Sequence, residues 1–196
     1  YEDFAGSITR ASINAWYYYC DKYGDKSAPS YLPKVTAKVY DCNNILIVQI
    51  EISLYNNGGG WVVADLGGYK GRVKVEAELK NEKGEIVKDI TYGYIEDQTS
   101  YNGVFGISVF DNSGTIIVPG IGSVNLVNGG FHIPELKAQG GNINITFINS
   151  SGESKVKSFT KAPNSTYFIM LDYSYPWSDP LEPTKWGGKD SPPYPR

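Results

Sequence analysis

The residues of this sequence that could do chemistry are few, and they form no catalytic pattern. Histidine occurs once, as His132 in the loop-like stretch Gly129-Gly130-Phe131-His132-Ile133-Pro134. No Gly-x-Ser-x-Gly elbow accompanies it, and one His with scattered carboxylates supplies no clustered metal ligands. We therefore predict that the chain is not an enzyme and uses no metal or cofactor.

Paired carboxylates offer the other route to catalysis, because a glycosidase needs only two of them in a cleft. Glu51, Glu76 and Glu78 lie in strand-like segments where they alternate with Lys, Gln or apolar residues. Such alternation is typical of an ordinary solvated strand face. We interpret these carboxylates as surface charges.

The only two cysteines are Cys20 and Cys42, and they fit neither a CxxC pair nor the ligand spacing of a zinc site. We predict that they form one disulfide, with two buried free thiols as the alternative. In the chain-entropy model, closing a loop of about 23 residues stabilises a fold by roughly 3.4 kcal/mol.

Three Asn-x-Ser/Thr sequons begin at Asn144, Asn149 and Asn164, and each is a candidate for an N-linked glycan. Asn144 alternates with Ile143 and Ile145, which predicts that it faces solvent from a strand. The other two lie in turn-like stretches. With the predicted disulfide and a first residue that is not Met, the sequons predict a processed, extracellular protein at the cell surface; an expression fragment is the alternative.

The amino-acid composition further limits the class of protein and of partner. The 196 residues are 41% hydrophobic and 20% charged, with a net charge of −3, 22 Gly, 16 Tyr and a single Met. These values exclude a disordered chain and argue against nucleic acid as a partner. Apolar runs are no longer than Ile45–Val48, so we predict no membrane span.

From Pro33 onward, short alternating apolar runs are separated by turn residues such as Asp41-Cys42-Asn43-Asn44 and Asn81-Glu82-Lys83-Gly84. The predicted strands are 34–40, 45–55, 61–66, 72–80, 86–95, 104–110, 115–118, 123–127, 142–148, 155–161 and 167–173. This spacing predicts an all-β fold, an immunoglobulin-like or pilin-like β-sandwich over residues 33–175.

The two ends differ from this middle part. Residues 1–32 show no clear turn before Tyr23-Gly24, so we predict one long element. Phe4, Ile8 and Tyr19 fit a helical stripe, but the β-branched and aromatic content favours an extended segment. Residues 176–196 hold six of the 11 prolines together with Trp177 and Trp186. They form either a disordered linker or an extended polyproline arm.

A β-sandwich preceded by a segment without a hairpin partner suggests that copies of the chain assemble with one another. We predict that a strand within Glu2–Trp16 is donated to the next copy, where Phe4, Ile8 and Ile13 fill pockets of an incomplete sheet. Repeated head-to-tail contacts of this kind give an open filament.

In these features the chain resembles the subunits of archaeal threads, thin extracellular filaments of Sulfolobales. The resemblance lies in the start without a leader, the N-terminal segment ahead of a β-sandwich, the several sequons and the absence of catalytic motifs. It implies donor-strand complementation, a partner that is another copy of the chain, and N-linked glycans on Asn144, Asn149 and Asn164.

We accordingly predict a structural subunit of an extracellular filament that serves adhesion or cell–cell contact. The alternatives are a secreted carbohydrate-binding β-sandwich, because Tyr and Trp stack on sugar rings, and a structural protein of a virion or cell wall.

Overall fold

The structure is a computed structural model that describes residues 1–9, 12–96 and 102–172. In these residues the secondary structure is fifteen strands and one turn of 3-10 helix at Pro134–Leu136. The strands are β1 (Glu2–Thr9), β2 (Ser12–Cys20), β3 (Lys26–Ser27), β4 (Val35–Tyr40), β5 (Leu46–Ile52), β6 (Gly59–Val63), β7 (Gly71–Lys80), β8 (Ile86–Ile95), β9 (Val104–Ile107), β10 (Gly114–Val118), β11 (Gly122–Asn125), β12 (Gly130–Ile133), β13 (Gly141–Asn149), β14 (Ser154–Lys161) and β15 (Tyr167–Met170). The predicted all-β fold class is confirmed.

The chain divides into two compact units. Within the described residues, the first contains 1–68 and 73–93, and the second contains 69–72 and 94–172. The predicted boundary between residues 32 and 33 falls inside the first unit. The predicted tail, 176–196, lies outside the described residues.

The first unit is built from two four-stranded sheets. One has the order β5-β4-β7-β8; the other has β2 at its centre, paired with β1, β3 and β6. Alternation in β4 and β7 buries Val39, Val75 and Ala77 on one face and leaves Lys and Glu on the other, as predicted. The predicted hairpin turn is also present, since Asp41 Oδ1 accepts hydrogen bonds from the N–H groups of Asn43 (2.8 Å) and Ile45 (2.9 Å).

The alternating apolar side chains of β5 are only partly covered. Leu46 is exposed, and Val48 and Ile50 are half-buried, whereas Ile52 is buried. The reason is that β5 is the edge strand of its sheet, so its apolar side chains have a neighbouring strand on one side only.

The second unit holds a four-stranded sheet, β11-β10-β13-β14, and a three-stranded one, β12-β9-β15. All described strand pairs in the two sheets are antiparallel except β9 and β15, which are parallel. Its core contains the buried aromatic and aliphatic residues of both sheets, including Ile116, Phe131, Ile145 and Phe159.

Buried polar contacts fix one loop of this unit. The Arg72 guanidinium donates to Ser108 O, to Asn112 Oδ1 at 2.7 Å and to Asp111 O at 3.3 Å. From the other side, the Asp172 carboxylate accepts from Ser108 Oγ at 3.0 Å and from the N–H of Val109. The 108–112 loop is therefore held by a cation and an anion that are distant in sequence.

Candidate functional site

The N-terminal segment is the most distinctive element of the first unit. Its extended conformation was predicted, but the prediction of one long element is wrong, because Glu2–Thr9 and Ser12–Cys20 form an antiparallel hairpin. β2 also pairs with β6, from Ser12↔Val63 to Trp16↔Gly59. The segment therefore has strand partners within its own chain.

The inward face of this hairpin carries the residues predicted to be donated. Phe4 and Ile8 from β1 are each 8% exposed, and Ile13 from β2 is fully buried, as is its neighbour Tyr17. These side chains belong to the core of their own chain in this structure. Their donation to a second copy stays a prediction.

The fit between the hairpin and the second sheet depends on small residues. A Cβ placed on Gly6 of β1 would lie 3.0 Å from Ala77 Cβ of β7. A Cβ on Gly93 of β8 would lie 2.5 Å from Ile8 Cγ2, closer than real Cβ contacts. Close approach of β1 to β8 therefore requires glycine at position 93, whereas a side chain at position 6 would make a tight contact with β7.

Polar contacts fix the register of the hairpin on this sheet. The Gly6 N–H donates to Asp89 Oδ2 at 3.0 Å, and Asn81 Nδ2 donates to Glu2 Oε1 at 2.8 Å. The Tyr17 hydroxyl donates to the other oxygen of Glu2 at 2.6 Å. Burial, together with this carboxylate, raises the pKa of the Tyr17 phenol, because both disfavour the phenolate.

The outward face of the hairpin holds a buried carboxylate. Asp3 is 2% exposed, and its Oδ2 lies 3.0 Å from Lys26 Nζ and 4.0 Å from Cys20 Sγ. Its other oxygen, Oδ1, is buried without a hydrogen-bond partner in the described part of the chain. Such an orphan acceptor is costly and rare in folded proteins.

The structure does not contain the predicted disulfide: Cys20 and Cys42 are both buried and are not joined to each other. Cys20 ends β2 in the N-terminal sheet and points toward Asp3, whereas Cys42 lies in the turn after β4 in the other sheet. The spacing of Cys20 and Cys42 in the sequence is compatible with a disulfide, but the tertiary structure places each thiol in a different sheet.

The three sequon asparagines all lie on the second unit. Asn144 is exposed on β13, as the alternation predicted, and its Oδ1 accepts from Ser158 Oγ at 2.5 Å. Asn149 ends β13, and its Oδ1 accepts from the N–H groups of Ser151 and Glu153. Asn164 is exposed in a turn. Glycosylation of these residues stays a prediction.

The side chain of the single histidine, His132 on β12, is 4% exposed. His132 Nδ1 lies 2.7 Å from Glu96 Oε2, and Nε2 lies 2.5 Å from the carbonyl oxygen of Asn102. Both ring nitrogens of His132 are therefore within hydrogen-bond distance of an oxygen atom. Glu96 also accepts from the Tyr94 hydroxyl at 3.0 Å and lies 3.4 Å from Lys70 Nζ. In this arrangement His132 links the residues on either side of segment 97–101.

The carboxylates weighed for glycosidase chemistry lie on the outer face of the β5-β4-β7-β8 sheet. Glu51 and Glu78 pair with Thr36 from its two sides. Lys34 Nζ lies 3.8 Å from Glu51, and Lys74 Nζ lies 3.3 Å from Glu76. Within residues 1–9, 12–96 and 102–172, no group of three or more His, Cys, Asp or Glu could hold a metal ion.

Sequence inspection missed the burial of Lys161 in the second unit. Lys161 is 3% exposed, and its ammonium donates to the carbonyl oxygens of Lys137 (2.8 Å), Gln139 (2.9 Å) and Ala162 (2.9 Å). In sequence it is one of several lysines of an edge strand, and nothing in its neighbours marks it as buried. It ties the loop before β13 to the end of β14.

No helix in the described part of the chain is long and apolar enough to cross a membrane. Searches of protein-family models and of curated proteins found no match. Solved structures of low similarity include a tetra-tandem repeat from the extending region of a large adhesion protein, with 14% identity and a TM-score of 0.40, covering 83% of this chain and 49% of that one. This chain thus spans about half the length of that structure.

Two further solved structures have similar coverage. The periplasmic chaperone SfaE has 8% identity and a TM-score of 0.34, covering 85% of this chain and 100% of its own. BcpA, the major pilin subunit of Bacillus cereus, has 10% identity and a TM-score of 0.22, covering 87% of this chain and 70% of its own. Similarity this low carries no inference about activity or partners.

Proposed function

We propose that the chain is a non-catalytic structural domain of an extracellular filament or adhesive assembly, in which copies join by exchanging the N-terminal hairpin. The main support for this proposal is that Phe4, Ile8 and Ile13 complete a core whose other side comes from β4, β7 and β8. The hairpin is thus a single, continuous element that supplies one layer of the first unit. The same contacts form whether the hairpin belongs to that copy or to its neighbour.

The connection to the rest of the unit supports exchange. β3 pairs with β2 and would move with the hairpin, which leaves residues 28–34 as the link to β4. Seven extended residues span up to about 24 Å. Pro29 and Pro33 favour an extended link over a tight turn, and such a link can lead into a second copy.

The register contacts support exchange between identical copies. Gly93 leaves room for Ile8, and Asp89 accepts from Gly6 N–H, so a hairpin shifted by one residue would lose both contacts. An incoming hairpin therefore binds in one register only. Repetition of this step from copy to copy produces a filament, the assembly that the thread resemblance implies.

We also propose that the chain has no enzymatic activity. Both nitrogens of His132 are engaged, so neither can take a proton from a nucleophile in this arrangement.

Cysteine trapping between full-length copies tests the exchange. Ser12 and Val63 lie directly opposite each other on β2 and β6, in a pair that is not joined by ladder hydrogen bonds, where side chains are closest. We expect co-refolded Ser12→Cys and Val63→Cys chains to form a covalent heterodimer, whose link is located by peptide mass spectrometry.

The matched control replaces Val63→Cys by Val156→Cys. Val156 is 64% exposed and Val63 is 62% exposed, but Val156 lies on β14 of the second unit. Crosslinking of Ser12→Cys to Val63→Cys, but not to Val156→Cys, supports exchange. If the Ser12→Cys/Val63→Cys double variant closes within one chain and the mixed single variants never link, the hairpin stays in its own copy and the proposal fails.

A further inference from the structure

One edge of the β5-β4-β7-β8 sheet is open. β5 pairs with β4 on one side, and within the described residues no strand pairs with its other side. An edge of this kind is where extended segments add to sheets in other proteins, because its outward backbone groups can form a new ladder. β5 belongs to the body of the first unit and not to the N-terminal hairpin, so this edge is the same whether or not the hairpin is exchanged.

The other long edge strands of the described residues carry charges that discourage pairing with a second chain. β14 has three lysines in eight residues, β8 has Lys88 beside Asp89, and β1 begins with two carboxylates. The remaining edge strands have five residues or fewer. β5 has no lysine, arginine or proline, and five of its seven residues are Leu, Ile or Val. It therefore lacks the residues by which natural proteins usually protect a sheet edge.

The burial of β5 side chains shows that they lack a lateral neighbour. Val48 and Ile50 are only half-buried, although they pair with Val39 and Ala37, which are fully buried on β4. A register shift at Ile47 ends the regular pairing, so the regular stretch of the edge is 48–52. A second strand beside this stretch would cover the two half-buried side chains.

A second copy of β5 fits this edge in one antiparallel register. Because alternate residues point to opposite faces, the apolar faces of the two copies coincide only when the pairing is centred on one residue and its copy. A pairing centred on Ile50 joins Val48 to Ile52 and Gln49 to Glu51, each twice by symmetry. Centring on Glu51 would set two carboxylates opposite each other, which is destabilising. Centring on Gln49 would set Glu51 opposite the register shift.

We propose that β5 pairs with β5 of a second copy, antiparallel and centred on Ile50, which joins two four-stranded sheets into one continuous sheet across a two-fold axis. Such an interface is isologous, so it closes after two copies. This side-by-side contact is independent of the proposed hairpin exchange, which links copies head to tail.

Charge substitutions at position 49 test the pairing. In the proposed register, Gln49→Lys faces Glu51 of the second copy with opposite charge, whereas Gln49→Glu faces it with like charge. Sedimentation velocity of the full-length chain over a concentration series measures the dissociation constant of the dimer. At low salt we expect Gln49→Lys to dimerise about tenfold more tightly than Gln49→Glu, with the wild type between them. The difference should shrink at high salt, because these side chains are exposed.

Within one copy the same substitutions act in the reverse direction. Gln49 pairs with Lys38 of β4, so Gln49→Lys should lower the stability of the monomer and Gln49→Glu should raise it. A change in folding therefore cannot imitate the expected change in association. Thr160→Lys and Thr160→Glu are the matched controls, because Thr160 is exposed on β14, an edge strand of the second unit. We expect both controls to dimerise like the wild type.

Equal dissociation constants for Gln49→Lys and Gln49→Glu overturn the proposal, as does a wild type that stays monomeric throughout the series. A difference of the same size between the two Thr160 variants also overturns it, since net charge alone would then explain the effect. Dimers formed by hairpin exchange do not depend on the charge at position 49, and exchange is read separately from the link between Ser12→Cys and Val63→Cys. Each proposal can therefore fail while the other stands.

Discussion

The contact between Gly93 and Ile8 predicts a measurable coupling between the hairpin and the sheet beneath it. Gly93→Ala places a Cβ about where Ile8 Cγ2 now lies, 2.5 Å away, and 3.3 Å from the Ile8 carbonyl oxygen. Neither atom is at the end of a flexible side chain, so β1 must move away from β8. We expect overpacking of this kind to lower the free energy of unfolding by about 2 kcal/mol.

The partner substitution removes side-chain volume instead of adding it. Ile8 is 8% exposed, so Ile8→Ala should cost about 3 kcal/mol through lost burial and a cavity. It also removes Cγ2, the atom that the new Cβ meets. In the Gly93→Ala/Ile8→Ala double variant the total loss should therefore be about 3 kcal/mol rather than the additive ~5, a coupling of about 2 kcal/mol.

Urea unfolding followed by tryptophan fluorescence measures these energies, because Trp16 and Trp61 both lie in the first unit. The matched control is Gly59→Ala on β6, where a new Cβ would make only an ordinary contact, 3.5 Å from Asn57 Oδ1. The effect of Gly59→Ala on the free energy of unfolding should simply add to that of Ile8→Ala. Additivity of Gly93→Ala and Ile8→Ala within about 0.5 kcal/mol would refute the packing of the hairpin on β8.

Three further predictions concern buried polar groups. Burial raises the pKa of Tyr17, so the unfolded chain loses that phenol proton before the folded chain does as the pH rises. Relative to Tyr17→Phe, the free energy of unfolding of the wild type should therefore fall by about 1.4 kcal/mol per pH unit above about pH 10. Urea titrations that show the same pH dependence for both proteins would contradict this. Lys161→Met leaves three carbonyl oxygens without their donor and should cost about 3 kcal/mol, whereas the exposed Lys155→Met should be near neutral in the same denaturation assay. Because Cys20 and Cys42 are not joined in the structure, the chain unfolded without reductant should take up two alkyl groups, measured by mass spectrometry. Uptake only after reduction would restore the predicted disulfide.

Local patterns accounted for much of the β-structure. Most strands from β4 onward and the Asp41 and Asn81 turns follow from alternation and from side chains that bond the backbone a few residues away. β12 is an exception, since it lies in the stretch interpreted as a loop. The exposure of Asn144 follows from the same alternation. The hairpin in residues 1–20 was missed because Thr9-Arg10-Ala11-Ser12 contains no Gly, Pro, Asn or Asp to indicate a turn.

The sequence by itself thus determined the all-β class, most strand positions and the apolar character of Phe4, Ile8 and Ile13, because these depend on neighbours within a few residues. Only the tertiary structure decided which elements these residues meet. The pairing of β2 with β6, the Gly93 contact with Ile8, the separation of the two thiols and the acceptors around His132 join residues that are far apart in the chain. Such contacts leave no periodic signal in sequence, since each depends on how the sheets pack.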